Sequence, residues 1–229
     1  MVKIFIDPGH GGTDPGAVGN GLQEKNLTLQ IATRIKDILV AEYNNVTIKM
    51  SRTGNTFPSL TDRTNQANAW GADFFLSVHI NSGGGTGYED FIYTSTGQAA
   101  KTYQDNIHTA IMKLVDLKDR GQKTGNLHVL RESSMPALLT ESGFIDSATD
   151  SAKLKTATFI ESLARGHVNG IVKSFSLTKK NTAVYHTVVS GDTVYALSRT
   201  YGSTAKQIKD WNGLGANYTI KVGQTLRVK

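Results

Sequence analysis

Hydrophobic residues in the first 175 positions recur with two periods, one typical of helices and one typical of strands. Helical spacing predicts helices at about 24–41, 59–72, 98–115 and 159–171. Short buried or alternating runs predict strands at 3–6, 46–50, 74–78, 87–94 and 137–139. Because strands and helices alternate along the chain, the pattern predicts an α/β fold with a mostly parallel, twisted sheet flanked by helices. Leu127 and Val129 also alternate, which predicts an extended segment with His128 on the opposite face.

A second, smaller unit follows a polar stretch. Residues 176–184 are polar and aperiodic, which predicts a solvated linker. From 185 to 229 the apolar positions predict a strand, two helices and a strand in that order. The sequence therefore predicts a main domain at 1–175, a linker at 176–184 and a small βααβ domain at 185–229.

The net charge is concentrated in the C-terminal part of the chain. Residues 176–229 hold eight basic residues and two acidic ones, while residues 1–175 are neutral, and this gives the formal charge of +6. A basic appendage favours a polyanionic partner such as nucleic acid, anionic lipid or a wall polymer. Interleaved stacking aromatics are few in this segment, so we expect no nucleic-acid binding.

Composition excludes several classes of protein. The chain has no cysteine, which excludes disulfides, thiolate metal ligands and a cysteine nucleophile. Its apolar runs are far shorter than the roughly 20 residues that cross a bilayer, so we expect no membrane insertion. Residues 1–9 lack the apolar segment of a secretory signal. We therefore expect synthesis in the cytoplasm without a signal peptide, and action elsewhere after release.

Four ionisable side chains follow predicted strands or begin the next helix. His10 follows the first strand, Glu24 begins the first helix, and His79 and Glu141 end two later strands. Because the carboxyl ends of parallel strands lie along one edge of a sheet, these side chains can meet there. Two imidazoles and one carboxylate form the ligand set of a catalytic zinc, and a further carboxylate can move protons beside it.

Each of these residues also has an ordinary explanation. A histidine after a strand is usually a partly buried polar residue, and an acid in the first turn, such as Glu24, is favoured by the helix dipole. Glu141 alone can be a surface acid. The remaining histidines apart from His128 are expected to be structural: His108, His167 and His186. Position alone therefore leaves both the metal site and these explanations open.

Longer stretches of residues 1–175 resemble the zinc-dependent N-acetylmuramoyl-L-alanine amidases. The strings that carry the resemblance are Ile-Asp-Pro-Gly-His-Gly-Gly at 6–12, Ser-Val-His-Ile-Asn at 77–81 and Leu-Thr-Glu-Ser-Gly-Phe at 139–144. Shorter matches between them, including those at 51–53, 121–123 and 127–131, keep the order of the family. One departure is Asp146 with Ser147, where the family tends to have a small hydroxyl residue and then asparagine, and it leaves the local turn in question.

The resemblance implies a fold, a reaction and a set of site residues. The fold is the three-layer arrangement of zinc amidases and carboxypeptidases. The reaction is hydrolysis of the amide between N-acetylmuramic acid and L-alanine by zinc-activated water, which leads to lysis of the cell wall. Matched by position, the residues with which the family binds one Zn²⁺ ion correspond to His10, Glu24 and His79. The family's catalytic glutamate corresponds to Glu141. Asn81 and His128 are further candidates for substrate binding.

Residues 185–229 resemble a LysM domain, a binder of glycans that contain N-acetylglucosamine. The resemblance rests on Tyr185, on Gly191-Asp192-Thr193, and on Asn212, Ile220 and Gly223-Gln224. By position it implies a glycan groove bordered by Gly191, Asp192, Thr193 and Ile220. A single copy offers no avidity from tandem modules, so we expect modest binding.

The two resemblances point to one polymer, peptidoglycan. We expect a monomeric lytic enzyme of phage or bacterial origin, whose tail holds it on the wall. Two alternatives are a zinc peptidase that cuts within the stem peptide and a wall-binding protein that has lost catalysis.

Overall fold

The computed structural model describes residues 1–180 and 183–229. It divides into two compact units, Met1–Lys179 and Lys180–Lys229. The predicted linker at 176–184 includes residues 181 and 182, which lie outside the described residues. The boundaries of the linker and of the two domains therefore stay predictions.

The first unit alternates strands and helices. Its elements are β1 (Val2–Pro8), β2 (Val18–Gly19), β3 (Leu22–Gln23), α1 (Glu24–Glu42), β4 (Val46–Met50), α2 (Leu60–Trp70), β5 (Phe74–Asn81), β6 (Tyr88–Tyr93), α3 (Gln98–Met112), β7 (Asp119–Gly125), α4 (His128–Arg131), β8 (Ala137–Phe144), α5 (Ala148–Leu154) and α6 (Ala157–Phe175).

Six of these strands form one sheet in the order β4-β1-β5-β8-β6-β7. Neighbouring strands are parallel except β6 and β8, which are antiparallel. The predicted mostly parallel α/β sheet is therefore confirmed. The parallel arrangement brings the carboxyl ends of β1, β5 and β8 to one edge, which positions the site described below.

Helices cover both faces of the sheet and complete three layers. On one face, apolar residues of α1, α3 and α6, such as Ile31, Ile107 and Leu163, pack in one buried cluster with even-numbered residues of β1 and β5. On the other face, Ala67 of α2 and Val129 of α4 pack in a cluster with Phe5, Phe75 and Leu139. The central strands β1 and β5 therefore alternate their side chains between two buried layers, which explains their mostly apolar sequences.

The structure corrects the prediction at residues 127–129. His128 begins α4, a short helix closed by the hydrogen bond from Arg131 N to Leu127 O. Leu127 precedes this helix and is exposed, while Val129 is buried, so the apparent alternation is not that of a strand. The sequence also gave no sign of β7, because its residues are polar or glycine and it lies at the edge of the sheet.

The second unit contains β9 (Tyr185–Thr187), α7 (Val194–Tyr201), α8 (Ala205–Asn212) and β10 (Thr225–Arg227), which confirms the predicted βααβ order. β9 and β10 pair antiparallel. Its buried core consists of six aliphatic residues: Val188, Val194, Leu197, Ile208, Leu226 and Val228. Among the described residues of both units, no helix has the length and apolar character needed to cross a membrane.

Candidate metal centre and active site

Three side chains converge at the carboxyl edge of the sheet: His10 from the loop after β1, Glu24 from the start of α1 and His79 from β5. Each of the three offers one nitrogen or oxygen atom, and these atoms lie within 4.8 Å of one another. Glu24 lies between the two imidazoles, with Oε2 3.1 Å from His10 Nε2 and Oε1 2.9 Å from His79 Nδ1. The structure thus brings together all three residues of the predicted ligand set.

Surrounding groups fix the orientation of these three residues. His10 Nδ1 lies 2.8 Å from Asp14 Oδ2, which turns Nε2 towards Glu24. Backbone amides of Ala17 and Ile80 donate to the two oxygens of Glu24. Burial disfavours the charged form of all three groups, but the hydrogen bonds and charges of their partners have the larger effect. As a result, the pKa of Glu24 lies far below its usual range and the pKa of both imidazoles is raised.

Two glycines leave room for this cluster. A Cβ at Gly9 would lie 2.2 Å from Cε1 of His79, and one at Gly16 would lie 2.6 Å from Oε2 of Glu24. Gly16 also has a φ of +64°, a conformation that disfavours other residues. His10 itself has a φ of 61°, so the loop holds this histidine in a conformation that is uncommon for a residue with a side chain.

Two buried arginines hold the His10 loop, and sequence reasoning assigned them no role. Arg63 donates to the carbonyls of Pro8 and His10 and to the carboxylate of Asp7 at 2.7 Å. Arg52 donates to the carbonyls of Pro8 and Gly9. Burial lowers the pKa of Arg52 to about 10, so it stays charged at neutral pH. Both residues lie in strings that resemble the family, but a charged residue in such a string more often faces solvent.

Glu141 lies on β8 directly beside His79 on β5, where the two are register partners. Its Oε2 atom is buried and has no hydrogen-bond partner among the described residues. Burial raises the pKa of Glu141 to about 7, with the nearby carboxylates of Glu24 and Glu89 adding to the effect and His79 opposing it. A carboxyl that titrates near neutrality, beside three residues that can bind a metal, is suited to proton transfer.

A cleft of about 370 Å³ opens in front of His10 and His79. Most of the other side chains that line it are apolar, among them Phe57, Leu60 and Leu127. His128 also lines the cleft, and its Nε2 is buried with no hydrogen-bond partner among the described residues. Such an atom is available to a ligand.

Asn81 has both ends of its amide engaged within the protein. Its Nδ2 donates to Glu89 Oε1 at 2.9 Å, and its Oδ1 accepts from Ser82 N. The contacts of Asn81 therefore favour an indirect role, through the position of Glu89, over direct contact with substrate.

The departure at Asp146 and Ser147 is accommodated within the turn. Asp146 Oδ2 accepts hydrogen bonds from the amides of Gly83 and Gly84, and the Ser147 side chain caps the first turn of α5. These contacts join the turn after β8 to the loop after β5.

In the second unit, the four predicted glycan-binding residues lie in two adjacent loops. Gly191, Asp192 and Thr193 lie between β9 and α7, and Ile220 lies between α8 and β10. Gly223 N donates to Val188 O, which links the loop before α7 to the loop before β10. Asp192 accepts hydrogen bonds from His186 and from Val189 N, and Thr193 caps α7. These loops also carry exposed apolar side chains, among them Val189 and Val222.

Comparison with known proteins identifies both parts of the chain. The family model described as N-acetylmuramoyl-L-alanine amidase matches residues 4–173, and the model of the LysM domain matches residues 186–229. This amidase family is typically zinc-dependent, and the His10–Glu24–His79 cluster is a set of residues that can bind a metal. The two resemblances seen in the sequence are thereby confirmed.

Individual relatives agree with the family models. The sporulation-specific N-acetylmuramoyl-L-alanine amidase of Bacillus subtilis is 60% identical over 83% of this chain and 75% of its own length. The endolysin of Bacillus phage SPP1 is 44% identical over 78% of this chain and 68% of its own length. The catalytic domain of CwlV, an amidase of Bacillus (Paenibacillus) polymyxa, superposes with a TM-score of 0.74 at 33% identity, covering 78% of this chain and all of that domain. The chain belongs to the N-acetylmuramoyl-L-alanine amidase family, carries a LysM domain, and is a hydrolase of the amide bond between N-acetylmuramic acid and L-alanine in peptidoglycan.

Proposed function

We propose that His10, Glu24 and His79 hold one zinc ion and that Glu141 moves protons in the hydrolysis of peptidoglycan. The observation that supports this most strongly is the convergence of three ligand atoms within 4.8 Å, next to a buried carboxyl oxygen without a hydrogen-bond partner among the described residues. The donor set of two nitrogens and one oxygen fits zinc and leaves a fourth position for the reaction. The contact between His10 and Asp14 is the kind of support that metal-binding imidazoles need.

A zinc ion held there would supply Lewis acidity that polarises the scissile carbonyl and makes water a nucleophile near neutral pH. Glu141 accepts the proton that the attacking water loses, as a base whose pKa is raised by burial to about 7. It then donates that proton to the nitrogen of L-alanine as the amide bond breaks. The proton is thus passed from water to the leaving amine, and Glu141 returns to its starting state.

We further propose that His128 contacts the substrate. His128 lines the same cleft as His10 and His79, and its buried Nε2 has no hydrogen-bond partner among the described residues. Phe57, Leu60 and Leu127 supply apolar walls that suit the methyl groups of the lactyl and alanyl residues on either side of the bond. A His128→Ala variant should raise KM with retention of zinc, and an unchanged KM would count against this contact.

Digestion of purified walls tests the catalytic proposal. The protein should release stem peptides that begin with L-alanine, lose this activity after treatment with a chelator and regain it with zinc. Mass spectrometry of the products distinguishes this from a cut inside the stem. Glu141→Gln should lower kcat by about 10²–10⁴-fold while the zinc content is kept.

Glu132→Gln is the matched control, since Glu132 is an exposed glutamate that pairs with Arg131. It should behave as the wild type. Full activity of Glu141→Gln would overturn the proposed role, and zinc binding by a variant that lacks His10, Glu24 and His79 would overturn the proposed ligands.

For the LysM unit we propose that Gly191, Asp192, Thr193 and Ile220 border the glycan groove. The adjacency of their loops and the exposed apolar side chains beside them support this. Sedimentation of the full chain with insoluble walls tests it, in a Glu141→Gln background that prevents digestion. Ile220→Asp should weaken binding, whereas Lys206→Gln, a change at an exposed side chain on α8, should not.

We propose that the enzyme acts on the wall in lysis, after release from the cell that makes it. The names of two relatives, a sporulation-specific amidase and a phage endolysin, support this. Cells that produce the protein should stay intact until the membrane is breached with a pore-forming agent. Lysis without such treatment would contradict the proposal.

A further inference from the structure

A second cluster of charges lies on the same face of the sheet as Glu141. Glu89 on β6 is the direct antiparallel partner of Glu141 on β8, so the two side chains leave the same face of the sheet with their Cβ atoms about 5 Å apart. Glu89 is only 5% exposed. It accepts from Arg120 Nε at 2.6 Å, from Lys123 Nζ at 2.5 Å and from Asn81. One buried carboxylate thus holds two cations, and the cluster carries a net charge of +1.

The two cations share this face because β7 contains a bulge. In the pairing of β6 with β7, Glu89 stands alone opposite two residues, Arg120 and Gly121. In a regular strand, positions 120 and 123 would face opposite sides of the sheet. Gly121 has a φ of +83°, and no atom lies within 4 Å of the place where its Cβ would be, so conformation rather than space requires the glycine. Bulges often direct side chains towards a site in this way.

Both cations keep hydrogen-bond donors to spare. Arg120 uses only Nε on Glu89, and its two terminal nitrogens have no partner within residues 1–180 and 183–229. The guanidinium carbon lies 4.9 Å from the centre of the Phe144 ring, which holds the group in place. Lys123 uses one of its three donors on Glu89, and the side chains of Arg120 and Lys123 are 30% and 37% exposed. Neutralising Glu89 needs only one cation, so the second charge and the free donors are available to an anion.

We propose that Arg120 and Lys123 bind a carboxylate of the stem peptide, on the second residue after the bond that is cut. The proposal rests on the proposed function, because it takes Glu141 as the place of cleavage. β7 lies two strands from β8, roughly 10 Å away. Two residues of extended peptide span about 7 Å, and an arginine side chain covers the rest.

The chemistry of the stem fits this distance. Its second residue is a glutamate linked through its side chain, so its α-carboxylate is free in some walls and amidated in others. The planar guanidinium donates two parallel hydrogen bonds to a carboxylate, whereas an amide offers only one oxygen and no charge. Arg120 and Lys123 therefore determine specificity for walls with the free acid.

Steady-state kinetics of the zinc-loaded full chain test the proposal, with two muropeptides that differ only in this group, free acid or amide. The wild type should prefer the acid by about tenfold or more in kcat/KM, mostly through KM. The variant Glu89→Gln/Arg120→Gln/Lys123→Gln removes both cations without leaving a buried unpaired charge, and it should lose the preference. Arg120→Lys should keep part of it.

The ratio of the two substrates separates specificity from stability. A structural role alone lowers kcat/KM for both substrates alike and leaves their ratio unchanged. Arg34→Gln, which removes a cation paired with Glu161 on the helical surface, is the matched control and should keep the preference. The proposal is overturned if the wild type does not distinguish the two muropeptides, or if the triple variant still does. Failure of the zinc proposal would give a different result: the enzyme would still turn over either muropeptide after treatment with a chelator.

Discussion

The two units differ in what they bury. Every buried ionisable side chain among the described residues belongs to the first unit, where Asp7, Glu24, Arg63 and others are held by partners far away in the sequence. The second unit buries six aliphatic side chains and, of polar ones within the described residues, Ser198. Both of its helices begin at a side-chain cap, Thr193 and Thr204, within a few residues of the backbone that they bind. Catalysis needs charge in a dry, fixed environment, whereas glycan binding needs only a stable surface, and the two interiors reflect this difference.

The largest expected effect comes from removing Arg63. In Arg63→Met the carboxylate of Asp7, which is 1% exposed, loses its charged partner, and the His10 loop loses two donors. Breaking a buried ion pair in this way should lower the free energy of unfolding of the first unit by about 3–5 kcal/mol. Urea unfolding, followed by signals from each unit, measures the change, and the second unit should be unaffected.

Two further variants define the origin of that loss. Asp7→Asn combined with Arg63→Met should recover part of the stability, because no buried charge is left without a partner. Arg34→Met breaks an exposed ion pair with Glu161 and should cost no more than about 1 kcal/mol. Equal losses from Arg63→Met and Arg34→Met would show that burial of the pair does not matter.

Acid should destabilise the first unit through His167. This fully buried imidazole donates from Nδ1 to Leu163 O and accepts from Thr140 at Nε2, and burial lowers its pKa to about 4. Above pH 6.5 the histidine is neutral in both folded and unfolded chains. As the pH falls from 6.5 to about 4, only the unfolded chain gains the proton, so about 3 kcal/mol of stability is lost.

Comparison with His167→Gln isolates this effect. Other acid-sensitive groups are common to both proteins, so the difference between their pH profiles of unfolding free energy reports His167 alone. The wild type should lose more stability than the variant between pH 6.5 and 4. Parallel profiles would mean that the imidazole is protonated in the folded state without cost.

A smaller effect is expected at Gly9, where space rather than charge is the constraint. A Cβ there would lie 2.2 Å from the imidazole of His79, which we propose as a zinc ligand, so Gly9→Ala must displace this side chain. We expect about a 10- to 100-fold loss of zinc affinity, measured by competition with a coloured chelator, because misplaced ligands weaken metal binding. Gly97→Ala is the control, since no atom lies within 4 Å of its Cβ and its φ is −78°. Equal zinc affinity of the two variants would contradict the packing argument.

The sequence predicted the order of strands and helices and the edge of the sheet where the site lies, because hydrophobic period and position along the chain determine both. Period and strand order placed His10, Glu24, His79 and Glu141 at one edge of the sheet and suggested a zinc site, and the resemblance favoured this interpretation over the ordinary explanations. The two arginines that hold the His10 loop were not recognised, because a charged residue on a helix or after a strand normally faces solvent and only the tertiary structure buries it. β7 was missed because Gly121 and its polar neighbours show no alternation, and that irregularity is the bulge that brings Arg120 and Lys123 together.

The smallest expected effects come from one type of substitution made in both units, the replacement of an N-cap residue by alanine. Ser59 and Thr204 both form capping boxes, with Asp62 and Gln207 respectively, so replacing either by alanine should cost about 1 kcal/mol. The melting temperatures of the two units should fall by different amounts. The shift equals the lost free energy of unfolding divided by the unfolding entropy, and this entropy is smaller for the shorter unit. We expect a fall of about 4–8 °C or more for Thr204→Ala in the second unit and about 2–4 °C for Ser59→Ala in the first. Calorimetry of the full chain resolves the two transitions, and equal shifts would mean that the units unfold together.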